Sequence, residues 1–181
     1  MLKPGQIIKE FVSKKGDHIV IRFIDNNDAP NMRRMKNNII AELDPESKKV
    51  TLKDQEKLVQ EMLQGLLNKK EVLFCAITGS EIIGRCLLTP FSGPSSHMGE
   101  ISLSIIKEFR EEGIGTALIK EACGVAKDKL NLRIIDLCTD ETNIIALDLY
   151  RKLGFQKYGV IPKGHLVKNK YVDKIFMYKE L

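Results

Sequence analysis

The sequence has no tryptophan, only 6% aromatic residues, and no apolar run long enough to cross a bilayer. A membrane helix needs about 20 consecutive apolar residues, so no membrane partner is expected. The first seventeen residues, Met1–Asp17, also lack the apolar stretch of a secretory leader. Positive charge is not concentrated: 29 Lys and Arg stand against 24 Asp and Glu, a net +5 spread along the chain. A nucleic-acid binder clusters its basic residues or interleaves them with aromatics, so no nucleic-acid partner is expected. The mild excess suits a polyanionic small ligand such as a nucleotide. Paired cysteines are missing as well. Cys75, Cys86, Cys123 and Cys138 form no Cys-x-x-Cys, and His18, His97 and His165 are equally scattered. Zinc sites are built from close ligand pairs, so no metal is expected. Each cysteine sits in an apolar stretch, the setting of a reduced core thiol, which points to a cytoplasmic protein.

What is present fits one globular domain over residues 1–181, with residues 1–17 as an N-terminal extension or hairpin strand. Ile7–Val12 and Ile19–Ile24 read as strands around the Ser13–Asp17 turn. A helix is expected over Pro30–Ala41, where proline is tolerated in the first turn. A second begins at Thr51 and ends by Asn68–Glu71, with Val59, Met62, Leu63 and Leu66 at helical spacing. Val72–Thr78 and Glu81–Thr89 are strands joined at Gly79-Ser80, and Pro90–Gly99 is a loop. Glu100–Ile106 is a strand with Ile101, Leu103 and Ile105 on one face and Glu100, Ser102 and Ser104 on the other. A helix over Gly113–Leu130, a strand over Leu132–Cys138 and a helix over Thr142–Leu153 follow. Gly154 suits a left-handed helix cap. The last strands lie near Gln156–Val160 and Tyr171–Lys179. The order is mixed α and β, with one strand–helix–strand crossover.

Arg110-Glu111-Glu112-Gly113-Ile114-Gly115-Thr116-Ala117-Leu118 follows a strand and opens an amphipathic helix. The first amides of a helix lack intrahelical partners, and its dipole places partial positive charge there, so the junction suits an anion. Gly113 and Gly115 allow close backbone approach to a phosphate, and Arg110 and Thr116 offer side-chain donors. A phosphate-loop NTPase would need Gly-Lys-Ser/Thr, which is absent. A dinucleotide fingerprint would need a third small residue where Leu118 stands. A plain two-glycine surface turn remains the bland alternative.

Downstream stands Asn143-Ile144-Ile145-Ala146-Leu147-Asp148-Leu149-Tyr150-Arg151-Lys152-Leu153-Gly154-Phe155. Together with Arg110–Thr116, in this order and separated by a helix and a strand, it resembles the two sequence signatures of the GNAT superfamily of N-acetyltransferases. The resemblance extends more weakly to His18–Ile24, Glu81–Gly84 and Tyr171–Tyr178. It implies the GNAT acyl-CoA N-acyltransferase fold, α/β (α+β), a mixed and mostly antiparallel sheet with helices on both faces. It also implies acetyl-CoA as co-substrate, lying in a gap between splayed strands Glu100–Ile106 and Leu132–Cys138. On that resemblance Ile105 and Ile106 offer backbone contacts to pantetheine. Arg110, Glu111, Glu112, Gly113, Ile114, Gly115 and Thr116 hold the pyrophosphate, and Asn143 binds the cofactor while also suiting a helix cap.

The implied reaction is acetyl transfer to a primary amine of a small molecule or protein, by direct attack in a ternary complex. It needs a base for the amine, donors for the tetrahedral intermediate and an acid for the thiolate. Glu100, on the polar face of the cofactor strand, is the candidate base, with His97 or a water relay as rivals. Tyr150 is the candidate acid, and its bland alternative is a core aromatic. Cys138 is placed to line the acetyl pocket. A non-catalytic, regulatory CoA-binding domain of the same family is the alternative reading. The acceptor would be set by Pro30–Ala41, Thr51–Asn68 and Ile161–Tyr178. Glu42, Asp44, Glu46, Asp54 and Glu56 would attract a cationic amine, or else form a solvated helical surface. Dimerisation is common in the family.

Overall fold

Period-two apolar patterning sorts the strands into one sheet. Ile19, Ile21 and Phe23 are essentially without exposure while their alternating neighbours are not. The computed structural model describes residues 1–43 and 46–181. Its strands are β1 (Ile7–Val12), β2 (His18–Phe23), β3 (Val72–Thr78), β4 (Glu81–Pro90), β5 (Met98–Ile105), β6 (Ile134–Asp140), β7 (Gln156–Val167) and β8 (Lys170–Glu180). They form an eight-stranded sheet in the order β1-β2-β3-β4-β5-β6-β8-β7. Every neighbouring pair is antiparallel except β5 and β6. This is the mixed, mostly antiparallel sheet that the resemblance implies.

Four helices cover it: α1 (Ala29–Leu43), α2 (Leu52–Leu67), α3 (Ile114–Leu130) and α4 (Ile144–Lys152). Thr51 caps α2 by accepting from the Asp54 amide at 3.2 Å. A Cβ placed on Gly84 of β4 would point at Leu118 of α3 and at Ile105 of β5. The α3 side of the sheet therefore carries Ile105 and its alternates Leu103 and Ile101. α1 and α2 pack against β4 and β3, and Arg22 of β2 binds Asp28 just before α1 through both terminal guanidinium nitrogens, at 2.6 and 2.7 Å.

Among the boundaries that differ from expectation, three have a local reason. The final hairpin is longer than expected, because β7 runs past Pro162. The pairing register shifts between Ile161 and His165, so the proline lies in a bulge of an edge strand, where it removes no ladder hydrogen bond. β6 starts two residues late, at Ile134. Asn131 adopts a left-handed conformation at the end of α3, and the Leu132 amide bonds back to the Ala126 carbonyl at 2.9 Å. Leu132 thereby closes the helix end with its side chain buried. β5 begins at Met98, inside the expected loop, after a short 3-10 turn at Gly93–Ser95.

Candidate active site

The parallel β5–β6 pair has three rungs: Met98–Ile134, Gly99–Ile135 and Glu100–Asp136. Above them β5 continues to Ile105 beside β4, and β6 continues to Asp140 beside β8. The two strands therefore part company, and a gap opens toward their C-terminal ends. The alternation of antiparallel hydrogen bonding decides which backbone groups face it. The Ile106 amide donates to Ile83 at 3.0 Å and Phe91 donates to Met98, so even-numbered residues of β5 bond to β4. Leu103 and Ile105 point their peptide groups into the gap. Ile106 does not, and Leu103 replaces it in the expected backbone pair.

The loop from Arg110 to Thr116 closes one end of the gap. Gly113 takes φ +87° with no protein atom within 4 Å of where a Cβ would sit. The first helical bond of α3 runs from Ala117 to Gly113, at 3.0 Å. Among the described residues the amides of Glu111, Glu112, Gly113, Ile114, Gly115 and Thr116 have no backbone partner. A ligand pyrophosphate fits this cradle of donors. Gly115 also serves packing: an added Cβ would meet Leu149, Ile105 and Leu103 side chains at 3.0 to 3.4 Å. It allows α3 to approach α4 and β5.

Two side chains of the loop face the protein. Arg110 binds both Glu42 oxygens at 2.6 Å and donates from Nε to the Ile105 carbonyl at 3.1 Å. Glu112 is buried, accepts the Lys15 amide at 2.9 Å and pairs with the Lys15 ammonium at 3.0 Å. The loop is thus braced by α1 on one side and by the β1–β2 turn on the other. Neither partner was visible in the sequence.

Asn143 caps α4, its side-chain oxygen accepting from Ala146 at 3.3 Å. Tyr150, 6% exposed, packs on Phe155 with ring centroids 5.8 Å apart. Burial raises its phenol to about 12, with Cys86 and Cys138 contributing. Cys86 is the Cα partner of Leu103, so the phenol stands at the level of Leu103 and Cys138, where the gap is open. Cys86 and Cys75 are buried, while Cys123 and Cys138 are partly exposed.

Glu100 is exposed and lies on the last shared rung. Opposite it is Asp136, which sequence reasoning passed over; its signal was a lone carboxylate in an apolar strand. Burial raises the Asp136 carboxyl above its ordinary range, with the nearby Tyr158 hydroxyl pulling the other way. Its Oδ1 has no partner among the described residues. Tyr158 stands against Phe176 and Tyr178, each with ring centroids 6.0 Å away. His97 lies below the rungs, its carbonyl accepting from Arg133 at 2.7 Å. Six residues of strand, about 20 Å, separate it from Leu103, so it is no base for chemistry in the gap.

The model of the acetyltransferase (GNAT) family matches residues 37–155. The chain belongs to the acetyltransferase (GNAT) family. The expected chemistry, acetyl transfer from acetyl-CoA to an amine, stands with that membership. Among characterised relatives, the L-amino acid N-acetyltransferase AaaT of Escherichia coli K12 is 26% identical over 119 residues, covering 65% of this chain and 72% of that protein. A GNAT-family acetyltransferase from Streptococcus pneumoniae superposes with a TM-score of 0.79 at 23% identity, over 90% of this chain and 99% of that one. yncA of Salmonella typhimurium, a putative acetyltransferase solved with its cofactor acetyl-CoA, superposes with a TM-score of 0.77 at 15% identity, over 90% and 94% of the two chains. The two superpositions bear on the fold. No helix among the described residues is long and apolar enough to cross a membrane.

Proposed function

We propose that this acetyltransferase acts in the gap between β5 and β6, on a primary amine delivered from the α1–α2 side of the sheet. The observation that carries the reading is the end of β5–β6 pairing at Glu100–Asp136, below the gap-facing peptide groups of Leu103 and Ile105 and the level of Tyr150. When bound, acetyl-CoA supplies an activated acyl group on a thiol leaving group. The free amides of Glu111–Thr116 hold its pyrophosphate, Leu103 and Ile105 bond its pantetheine arm, and Asn143 lies at the opposite rim.

An amine with a reference pKa near ~10.4 is neutral in only about one molecule per thousand at pH 7, so a proton must be removed. Glu100 receives it. Glu100 is three residues below Leu103, about 10 Å along the strand, so the proton travels through water. Glu100 is exposed, so solvent water reaches its carboxylate directly. Amides facing the gap stabilise the oxyanion. Tyr150, held protonated by burial, donates to the departing sulfur.

The acceptor surface is less acidic than its sequence suggests. Glu42 is engaged by Arg110 and Asp54 by Thr51; Asp44 lies outside the described residues. Only Glu42 is neutralised, because Asp54 keeps its charge under a hydroxyl donor, so a cationic acceptor loses one of its expected attractors. The relative AaaT is named for transfer to L-amino acids, and a free amino acid suits this chain too. The test is release of free thiol from acetyl-CoA across a panel of amino acids, polyamines and N-terminal peptides. Turnover with none of them would reject the reading.

A further inference from the structure

A row of side chains crosses four adjacent strands on the sheet face opposite α3: Arg22, Cys75, Arg85 and Ser104 are successive Cα partners. Its two arginines differ. Arg22 is neutralised by Asp28. Arg85, which is largely buried, has no ion pair and no hydrogen bond among the described residues. A guanidinium does not shed its proton in a protein, and an unpaired charge removed from water is costly. Burial accordingly pulls Arg85 below its ordinary value, with no carboxylate opposing. Such a group calls for an anion from outside the chain.

Its position says which anion. Arg85 immediately precedes Cys86, the residue near Tyr150. Tyr150 therefore approaches the level of Leu103 from the α3–α4 side, and Arg85 stands at nearly the same level on the other side, beside Ser104. The phosphate cradle lies beyond the end of β5, at Glu111–Thr116, and does not need this arginine. We infer that Arg85 binds a carboxylate on the acceptor, and that the acceptor is a free amino acid, whose amine and carboxylate are separated by a single carbon. A protein N-terminus carries a neutral peptide group at that place and would leave the guanidinium unpaired. The inference rests on the acetyl-transfer reading and names the acceptor of the same site.

The test compares the twenty L-amino acids with their twenty carboxamides in the full-length protein. The wild-type protein should prefer the acid over its amide by about 30- to 4,000-fold in kcat/KM, the range for losing one partner of a buried charge pair. Arg85→Met keeps the apolar stem and should abolish that preference, mainly through KM, leaving amide rates within about threefold and coenzyme A affinity unchanged. Arg85→Lys should restore part of it. Equal rates for acids and amides in the wild-type protein overturn the inference without any variant, so a misfolded Arg85→Met does not shield it. Equal slowing of both substrates, or weaker coenzyme A binding, overturns it too. If no amine is acetylated, calorimetric titration of the same panel into the coenzyme A complex decides separately. Carboxylate-dependent binding lost in Arg85→Met sustains the site while the transfer reading falls; no such binding rejects the site.

Discussion

Arg110 grips Glu42 through both terminal guanidinium nitrogens, at 2.6 Å each, and so ties the loop after β5 to the last turn of α1. The fork-to-carboxylate geometry favours a fixed orientation over a freely moving arginine. The residue expected to reach for phosphate instead braces the loop whose free amides are proposed to hold it.

The clamp should be visible in acid. The Arg110 guanidinium holds the Glu42 carboxyl below its ordinary 4.5. A depressed carboxyl adds stability that is complete above its unfolded pKa and is lost as pH falls through the folded one. Both partners are about one-third exposed, so the contribution is about 0.5–1 kcal/mol. Glu42→Gln should melt about 1–4 °C lower than wild type at pH 7, and the difference should shrink as pH falls below the ordinary 4.5 and through the lowered value. An equal difference at pH 7 and in acid would mean that the clamp does not titrate through Glu42.

Gly113 offers the cleaner probe of the cofactor loop, because Gly115 is enclosed by core side chains. Gly113→Ala should cost about 1–2 kcal/mol from its left-handed backbone. Its methyl group would otherwise stand in space the protein leaves open. Coenzyme A affinity should fall at least about tenfold, more than 1.4 kcal/mol. Calorimetry on folded variant that returns the wild-type Kd would place the pyrophosphate elsewhere.

Glu100→Gln should slow acetyl transfer by about 10²–10⁴ while coenzyme A affinity holds. The acidic limb of the pH–rate profile should flatten. Were rate and profile both unchanged, Asp136, across the last rung, would become the next carboxylate to test.

Tyr150→Phe removes a hydroxyl that makes no hydrogen bond among the described residues and keeps the ring on Phe155. Melting should barely move, and kcat should fall by about 10–10³. Because burial lifts this phenol to about 12, it stays protonated at ordinary assay pH, and the basic limb of the profile should survive in the variant. A thioester with a more acidic thiol should shrink the defect. Early melting with kcat intact would make Tyr150 a packing residue.

Much of this was legible because it is local. Ile19, Ile21 and Phe23 alternate, α3 carries its apolar stripe, and Gly154 sits at φ +88° after α4 as its place predicted. The two cofactor motifs fixed the family for the same reason. What escaped was long-range. Glu112 is 97 residues from Lys15 and Arg110 is 68 from Glu42, and no spacing rule joins such pairs. The strand expected near Gln156–Val160 stops short of Pro162, and β7 runs on past it because a bulge is decided by the partner strand. Arg85 carries no signal of its own in the sequence, because only the fold shows that no carboxylate among the described residues pairs with it.

The three-rung seam between β5 and β6 has a mechanical meaning. The sheet is two leaves, β1–β5 and β6–β8–β7, stitched by backbone only at one end. A pantetheine arm bonded along β5 would supply what a further strand would otherwise provide there. Substrate entry then amounts to completing a sheet, and each turnover must undo that completion before the leaves can take the next molecule.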